Sequence, residues 1–205
     1  MIQQIVLASG NKGKIQEIQA ILKHQAIEVL PQSRFDVSEA EETGTTFIEN
    51  AIIKARHAAR ISKLPVIADD SGLEVDALDG KPGVHSARYA GLPSDDKKNT
   101  LKLLNALENT PVEKRSARFH CVMVFMAHAD DPSPLIAHGV WEGRIAYKES
   151  GENGFGYDPV FYVPEHQCVS AELDASIKNC LSHRAKALNL LMPQVSDYFA
   201  KPHDN

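Results

Sequence analysis

Short β-branched runs alternate along the chain with stretches of helical spacing, a pattern that predicts an α/β protein. Ile2 to Ala8 reads as a first strand. It breaks into Ser9-Gly10-Asn11-Lys12-Gly13-Lys14, after which Ile15, Ile18, Ile21 and Leu22 share one helical face. Ile27 to Leu30 is a second short strand. Thr46-Phe47-Ile48-Glu49 has the form of a capping box, and the helix it opens reaches Ser62 with Phe47, Ala51, Ala55 and Ala58 on its apolar side. Lys54 and Arg56 lie in that helix, where each either turns toward a phosphate or faces water, with solvation the better single reading. Val66-Ile67-Ala68 stops on Asp69-Asp70, and Gly72 to Ala77 alternates as a separate strand with one buried face.

The later elements follow the same logic. His85 to Tyr89 reads as a surface loop, and Ser94 as the cap of a helix to Glu108 with Leu101, Leu104 and Leu107 inward. Cys121 to Ala127 is almost unbroken in its apolar character, as in a central strand covered on both faces. Leu135 to Ala146, with the sole tryptophan Trp141, forms the return arm of a long hairpin. Glycines and aromatics alternate from Gly154 to Asp158 ahead of a strand at Val160 to Val163. The C-terminal third is helical, with Ile177 and Leu181 inward and Ser182 capping a helix that carries Ala185, Leu188, Leu191 and Met192. His203 and the tail after Phe199 read as frayed. No repeat or linker forces a division, so residues 1–205 read as a single domain.

Composition narrows the function classes. An apolar share of 43% over 205 residues is enough for a substantial core. The net charge of -5 and the lack of a basic block argue against nucleic acid as a partner. No run approaches the roughly 18 apolar residues of a membrane span, and the N-terminus lacks the features of a signal peptide. Cys121, Cys168 and Cys180 are odd in number and form no C-x-x-C pair. They read as reduced, mostly buried thiols of a cytosolic protein.

Four stretches carry candidate chemistry, the first three with a plainer reading beside them. The strand–loop–helix joint at Ser9 to Lys14 aims backbone N–H groups and a helix N-terminus at one point, and Lys12 and Lys14 add charge. A turn with glycines at positive φ explains it equally well. Asp69 and Asp70 at a strand end suit a metal or a substrate, or else a turn. Phe155-Gly156-Tyr157-Asp158 offers a platform on which a base can stack, or a hairpin whose aromatics fill the core. Lys178, His183 and Arg184 gather donors near a helix start. Together with an acidic loop at Glu41 and Glu42, these features describe a Mg²⁺-using enzyme of nucleoside triphosphates.

The ordered motifs also resemble a known family. They are Ser-Gly-Asn-x-Gly-Lys at 9–14, Glu-Glu-Thr-Gly at 41–44, Thr-Phe-Ile-Glu-Asn-Ala at 46–51 and Ala-Asp-Asp-Ser-Gly-Leu at 68–73. Pro-Gly-x-x-Ser-Ala-Arg-Tyr at 82–89, Gly-Phe-Gly-Tyr-Asp-Pro at 154–159 and Ser-His-Arg at 182–184 complete the set. The chain is similar to the inosine triphosphate pyrophosphatase (Ham1-like) family, in its bacterial dITP/XTP pyrophosphatase branch. That resemblance implies an elongated central mixed sheet flanked by helices, with two lobes and the active-site cleft between them. It implies hydrolysis of ITP, dITP and XTP to the monophosphate and pyrophosphate, Mg²⁺ as cofactor, and a cytoplasmic homodimer.

By motif, Asp70 is the proton acceptor, and Glu41 and Asp70 hold the metal. Ser9, Gly10, Asn11, Lys12, Gly13, Lys14, Ser71, Phe155, Gly156, Tyr157, Asp158, Lys178, His183 and Arg184 contact substrate. Lys54 and Asp69 are supporting candidates, Lys54 with Lys14 to neutralise the departing pyrophosphate. Asp70 becomes an adequate base if the metal acidifies the water or if Asp69 repels it into a higher pKa. Asp69 is otherwise without an assigned role. A pyrophosphatase for other modified nucleotides and a nucleotide sensor without turnover are the alternatives.

Overall fold

The computed structural model describes residues 3–23 and 27–201. Ile2 and His203, placed above in a strand and in a tail, lie outside the described residues. Seven strands form one mixed sheet in the order β2-β1-β3-β4-β5-β6-β7. They are β1 (Gln3–Ala8), β2 (Ile27–Pro31), β3 (Val66–Val75), β4 (Ser116–Met126), β5 (Leu135–Ile145), β6 (Phe161–Val163) and β7 (Cys168–Val169). β1 runs parallel to β2 and β3, whereas β6 is antiparallel to β5 and β7. The helices are α1 (Lys12–Leu22), α2 (Phe47–Ser62), α3 (Asp96–Ala106), α4 (Ala175–Leu181) and α5 (His183–Ala200). The α/β class and the mixed sheet flanked by helices are as expected. No helix among the described residues is long and apolar enough to cross a membrane.

Two compact units divide the chain. The first takes Met1–Asp70, Cys121–Gly139 and Arg184–Asn205; the second takes Ser71–His120 and Val140–His183. In the first, side-chain alternation sorts the sheet onto two cores. Ile5, Leu7, Ile67, Cys121, Met123 and Phe125 face α1 and α5 through Ile18, Leu22, Leu188 and Leu191. Val6, Ala8, Val66, Ala68, Val122 and Val124 face α2 through Ala51, Ala55, Ala58 and Ala59. Burial on both faces is why β4 reads as an uninterrupted apolar run. The alanine stripe lets α2 approach the sheet closely, so the short reach from its backbone to β3 is set by residue size.

The second unit has a more aromatic core, joining Leu73, Leu103, Leu107, Phe119, Trp141 and Phe161. Arg115 is buried there and is held by backbone carbonyls. Its guanidinium donates to the carbonyls of Thr110 (3.0 Å), Ala146 (2.8 Å) and Leu107 (2.6 Å), which satisfies the chain leaving α3.

Several local expectations are corrected. α1 begins at Lys12, so the polar loop ends at Asn11, whose side chain accepts from the Lys14 N–H at 3.1 Å. Neither Gly10 nor Gly13 takes a positive φ. β3 does not stop at Asp69 but runs unbroken to Val75, and it lies inside the sheet between β1 and β4. Pairing with β1 covers Val66 to Ala68 and β4 flanks the strand on its other side, so the sheet and not the turn propensity of Asp-Asp-Ser-Gly decides this stretch. Asp95, not Ser94, caps α3, and Leu101 is exposed while Leu103 is buried. Ile177 is also exposed, and of the three cysteines expected to be mostly buried Cys121 is buried, Cys168 half-buried and Cys180 exposed. His85 to Tyr89 is largely a 3-10 turn over Gly83–Arg88 that buries Ser86, whose Oγ accepts from the Leu73 N–H at 2.8 Å. The capping box of α2 forms as expected, with the Thr46 N–H donating to Glu49 at 2.9 Å.

Candidate active site

Asp69 and Asp70 lie in mid-strand, so the pleat sends their side chains to opposite faces. Asp69 continues the Ile67 face toward α1 and α5; Asp70 continues the Val66 and Ala68 face toward α2. Their residual exposures, 1% and 6%, are too alike to separate them. Their neighbours do.

On the first face, Lys14 Nζ sits 2.9 Å from Asp69 Oδ2, and Arg184 Nη2 lies 3.6 Å from the same oxygen. The Arg184 Nη1 donates to Glu17, one helical turn beyond Lys14 on α1. Burial pushes the Asp69 carboxyl upward, but Lys14, Arg184 and Lys54 outweigh it and hold it well below the ordinary carboxylate range. Asp69 is therefore a fixed anion that anchors two cations. Cys121, buried beneath the cluster, is pushed up to about 12 by burial and then by Asp69, which leaves its thiol inert.

On the second face, Lys54 Nζ is 2.7 Å from Asp70 Oδ1 and 3.0 Å from Glu42 Oε1. Asn50, one turn earlier on α2, points its amide at Asp70 Oδ2 at 3.5 Å while its Oδ1 accepts from the Gly44 N–H at 2.9 Å. Burial is the largest influence on Asp70 and raises its carboxyl above the ordinary value. Lys54 and Lys14 oppose that rise and Glu42 adds to it. Burial lowers Lys54, yet Asp70, Asp69 and Glu42 more than compensate and keep the ammonium charged. Two adjacent carboxylates are thus driven apart, the arrangement that separates a structural anion from a base. Burial, rather than repulsion from Asp69, is the leading cause.

The second unit contains a different construction. Asp158 is buried and accepts from Lys178 Nζ at 2.5 Å, from the Phe155 N–H at 2.8 Å and from Ser170 Oγ at 2.9 Å. The loop can close on it because Gly154 has φ +77 and no side chain; a Cβ there would sit 2.1 Å from Asp158 Oδ2. Gly156 is held by both backbone groups, its N–H donating to Asp96 at 2.8 Å and its carbonyl accepting from Thr100 at 3.3 Å. Lys178 lies 5.1 Å from the Phe155 ring centroid, a cation–π contact over a half-buried ring. Tyr157 is buried and donates to the Ser86 carbonyl at 2.8 Å, which makes it a core residue and not part of a platform. His183 stacks on Phe119 at 4.7 Å and 13°.

The expected residues therefore divide. Lys14, Lys54, Asp69, Asp70 and Arg184 converge in the first unit; Phe155, Gly156, Tyr157, Asp158 and Lys178 organise one loop in the second. Lys54 is engaged and not solvated, and Arg56 donates to the Ala129 carbonyl at 3.2 Å. Ser9 and Gly13 are half-buried and Gly10, Asn11 and Lys12 exposed along the loop and first turn of α1, while Ser71 follows Asp70 in β3, half-buried. Glu41 is exposed; its neighbour Glu42 is the one that reaches Lys54. Glu17 and Asn50 complete these clusters without any role assigned to them by the sequence motifs. Their spacing was the available signal, since Glu17 stands three residues after Lys14 and Asn50 four before Lys54, each pair on one helix face.

The sequence pattern of the Ham1 family matches residues 5–194, and the chain belongs to that family. It is 60% identical over 195 residues to the dITP/XTP pyrophosphatase of Vibrio parahaemolyticus, covering 95% of this chain and 98% of that one. Against the dITP/XTP pyrophosphatase of Vibrio cholerae the identity is 58% over 196 residues, with 96% and 98% covered. The solved structure of a HAM1 protein from Coxiella burnetii superposes with a TM-score of 0.88 at 53% identity, covering 95% of this chain and 99% of that one. The resemblance read from the motifs is thereby borne out.

Proposed function

We propose that this protein hydrolyses deaminated purine nucleoside triphosphates, dITP, XTP and ITP, to the monophosphate and pyrophosphate, and so removes them before they enter DNA or RNA. The observation that carries the chemistry is the split of Asp69 from Asp70. Asp70, raised by burial, accepts a proton from the attacking water more readily than an ordinary aspartate. The charge that builds on departing pyrophosphate is the main barrier, and Lys54 beside Asp70 and Lys14 at the head of α1 neutralise it. Asp69 does no proton transfer; it fixes Lys14 and Arg184.

Mg²⁺ is the proposed cofactor. The oxygens of Asp70 and Glu42 flank a cation already, the Lys54 ammonium, and carboxylate oxygen suits a hard divalent ion. No group of three or more His, Cys, Asp or Glu side chains placed to hold a metal occurs among the described residues. That fits an ion held by one or two carboxylates and completed by water and substrate phosphates. When bound, Mg²⁺ supplies charge neutralisation on the phosphates and lowers the pKa of water. The family resemblance names Glu41 with Asp70 for this role, and Glu42 next to it holds Lys54 against Asp70.

For the base, Phe155 and His183 are the proposed recognition residues. Hypoxanthine and xanthine present an acceptor at C6 where adenine presents a donor, so a fixed N–H donor selects for them. A cytoplasmic homodimer is proposed on the family resemblance, with cytosolic reduced thiols in keeping. The deciding experiment measures pyrophosphate release across nucleoside triphosphates, with Mg²⁺ and then with EDTA. Release from dITP, XTP and ITP well above dATP and dGTP, lost with EDTA, is expected. Equal turnover of dATP, or release of orthophosphate instead, would overturn the assignment.

A further inference from the structure

We infer that Glu17 is a positioning residue for the phosphate-binding lysine, acting through a chain of four charges, Glu17–Arg184–Asp69–Lys14. The inference rests on the proposed function, because it gives Lys14 the task of holding substrate phosphates.

The distances carry it. Asp69 has two cations competing for Oδ2, and it holds Lys14 at 2.9 Å but Arg184 at only 3.6 Å. A buried guanidinium does not stand off from a buried carboxylate unless another anion satisfies it. Glu17 is that anion and makes the shorter contact with Arg184. The side chains of Asp69 and Arg184 are 0% and 2% exposed, so water does not substitute for a missing member. Glu17 and Lys14 both project from α1, which closes the chain onto one rigid element. Without the Glu17 charge, Arg184 is predicted to turn fully to Asp69 and displace Lys14 from the oxygen that aims it.

A merely structural Glu17 would lower the melting temperature and leave substrate affinity alone. A positioning Glu17 moves affinity for phosphate groups more than the rate of the bound complex. The test compares wild type with Glu17→Gln, measuring KM and kcat for dITP and, separately, the affinity for inorganic tripolyphosphate by titration calorimetry. Both KM and the tripolyphosphate dissociation constant are expected to rise about tenfold, an ordinary coupling within one ion-pair network, while kcat changes far less. In a Lys14→Met background the same Glu17→Gln change should leave tripolyphosphate affinity where Lys14→Met put it.

Unchanged affinity in folded Glu17→Gln, or a tenfold loss that persists without Lys14, would overturn the inference. Should Glu17→Gln not fold, Glu17→Asp takes its place: a KM raised at least twofold supports the chain, and a wild-type KM contradicts it. Wild-type protein that releases no pyrophosphate from any triphosphate would sink the functional reading. The tripolyphosphate measurements would still decide the role of Glu17.

Discussion

The carboxylate cluster of the first unit and the glycine loop of the second both bury charge, but they fix it by opposite means. In the first, the backbone is ordinary strand and helix, and side-chain alternation assigns each aspartate its neighbours. In the second, Lys178 and Asp158 meet only because Gly154 and Gly156 take φ of +77 and +61 and let the loop fold inward. One site is set by which charges face one another, the other by which residues lack a side chain. The first should therefore respond most to changes of charge, the second most to changes of shape.

The sharpest break in that contrast is Asp158→Ala. It leaves the Lys178 ammonium buried without its carboxylate and takes away the acceptor of the Phe155 N–H, so a loss of about 3–5 kcal/mol of stability is expected in denaturant titration. A loss under 1 kcal/mol would mean that the loop does not depend on the pair. Gly154→Ala comes next, at about 1–3 kcal/mol, since it forces an alanine to a positive φ and into Asp158. Combining the two should cost less than their sum, because the truncated partner removes the collision. Strict additivity would show that the collision is absorbed elsewhere.

A smaller effect sharpens the first site. Glu42→Gln removes a carboxylate that helps to raise Asp70. In its proposed role as base Asp70 acts only when ionised, so kcat/KM is expected to fall as pH drops through its pKa, which lies above the ordinary 3.8. The acid limb of the pH–rate profile should move to lower pH in Glu42→Gln. An unmoved limb would separate Glu42 from Asp70. The stability terms run oppositely for the two aspartates. Asp69, depressed in the fold, stabilises above its unfolded pKa and loses that contribution as pH falls through its folded value. Asp70, raised in the fold, contributes below its unfolded pKa and loses it as pH rises through its folded value.

Much of this was legible in the sequence where short-range chemistry decides. The α2 capping box, the doubly buried β4 and the residue types of the polar loops were all readable. What escaped depends on distant partners. Asp69-Asp70-Ser71-Gly72 is good turn chemistry, yet it continues a strand whose pairing with β1 ends at Ala68 and whose other neighbour is β4. Lys54 looks like a solvated helix lysine until α2 packs on β3 and brings Asp70, sixteen residues away, to 2.7 Å. Leu101 and Leu103 differ by two positions on one amphipathic helix, capped by Asp95 rather than Ser94, and it is Leu103 that turns inward. Arg184 reads as a donor for substrate from its motif, yet its place between Glu17 and Asp69 is set by two elements far apart in the chain. Tyr157 follows a platform pattern but finds a carbonyl in the core.

The central claim is that one strand turns two identical neighbours into an anchor and a base. Parallel measurement of kcat and tripolyphosphate affinity in Asp69→Asn and Asp70→Asn tests it most directly. Asp70→Asn should lose roughly 10²–10⁴-fold in kcat while still binding tripolyphosphate, and Asp69→Asn should weaken binding and folding instead. Matching losses in the two variants, or an Asp70→Asn enzyme that turns over at the wild-type rate, would contradict it.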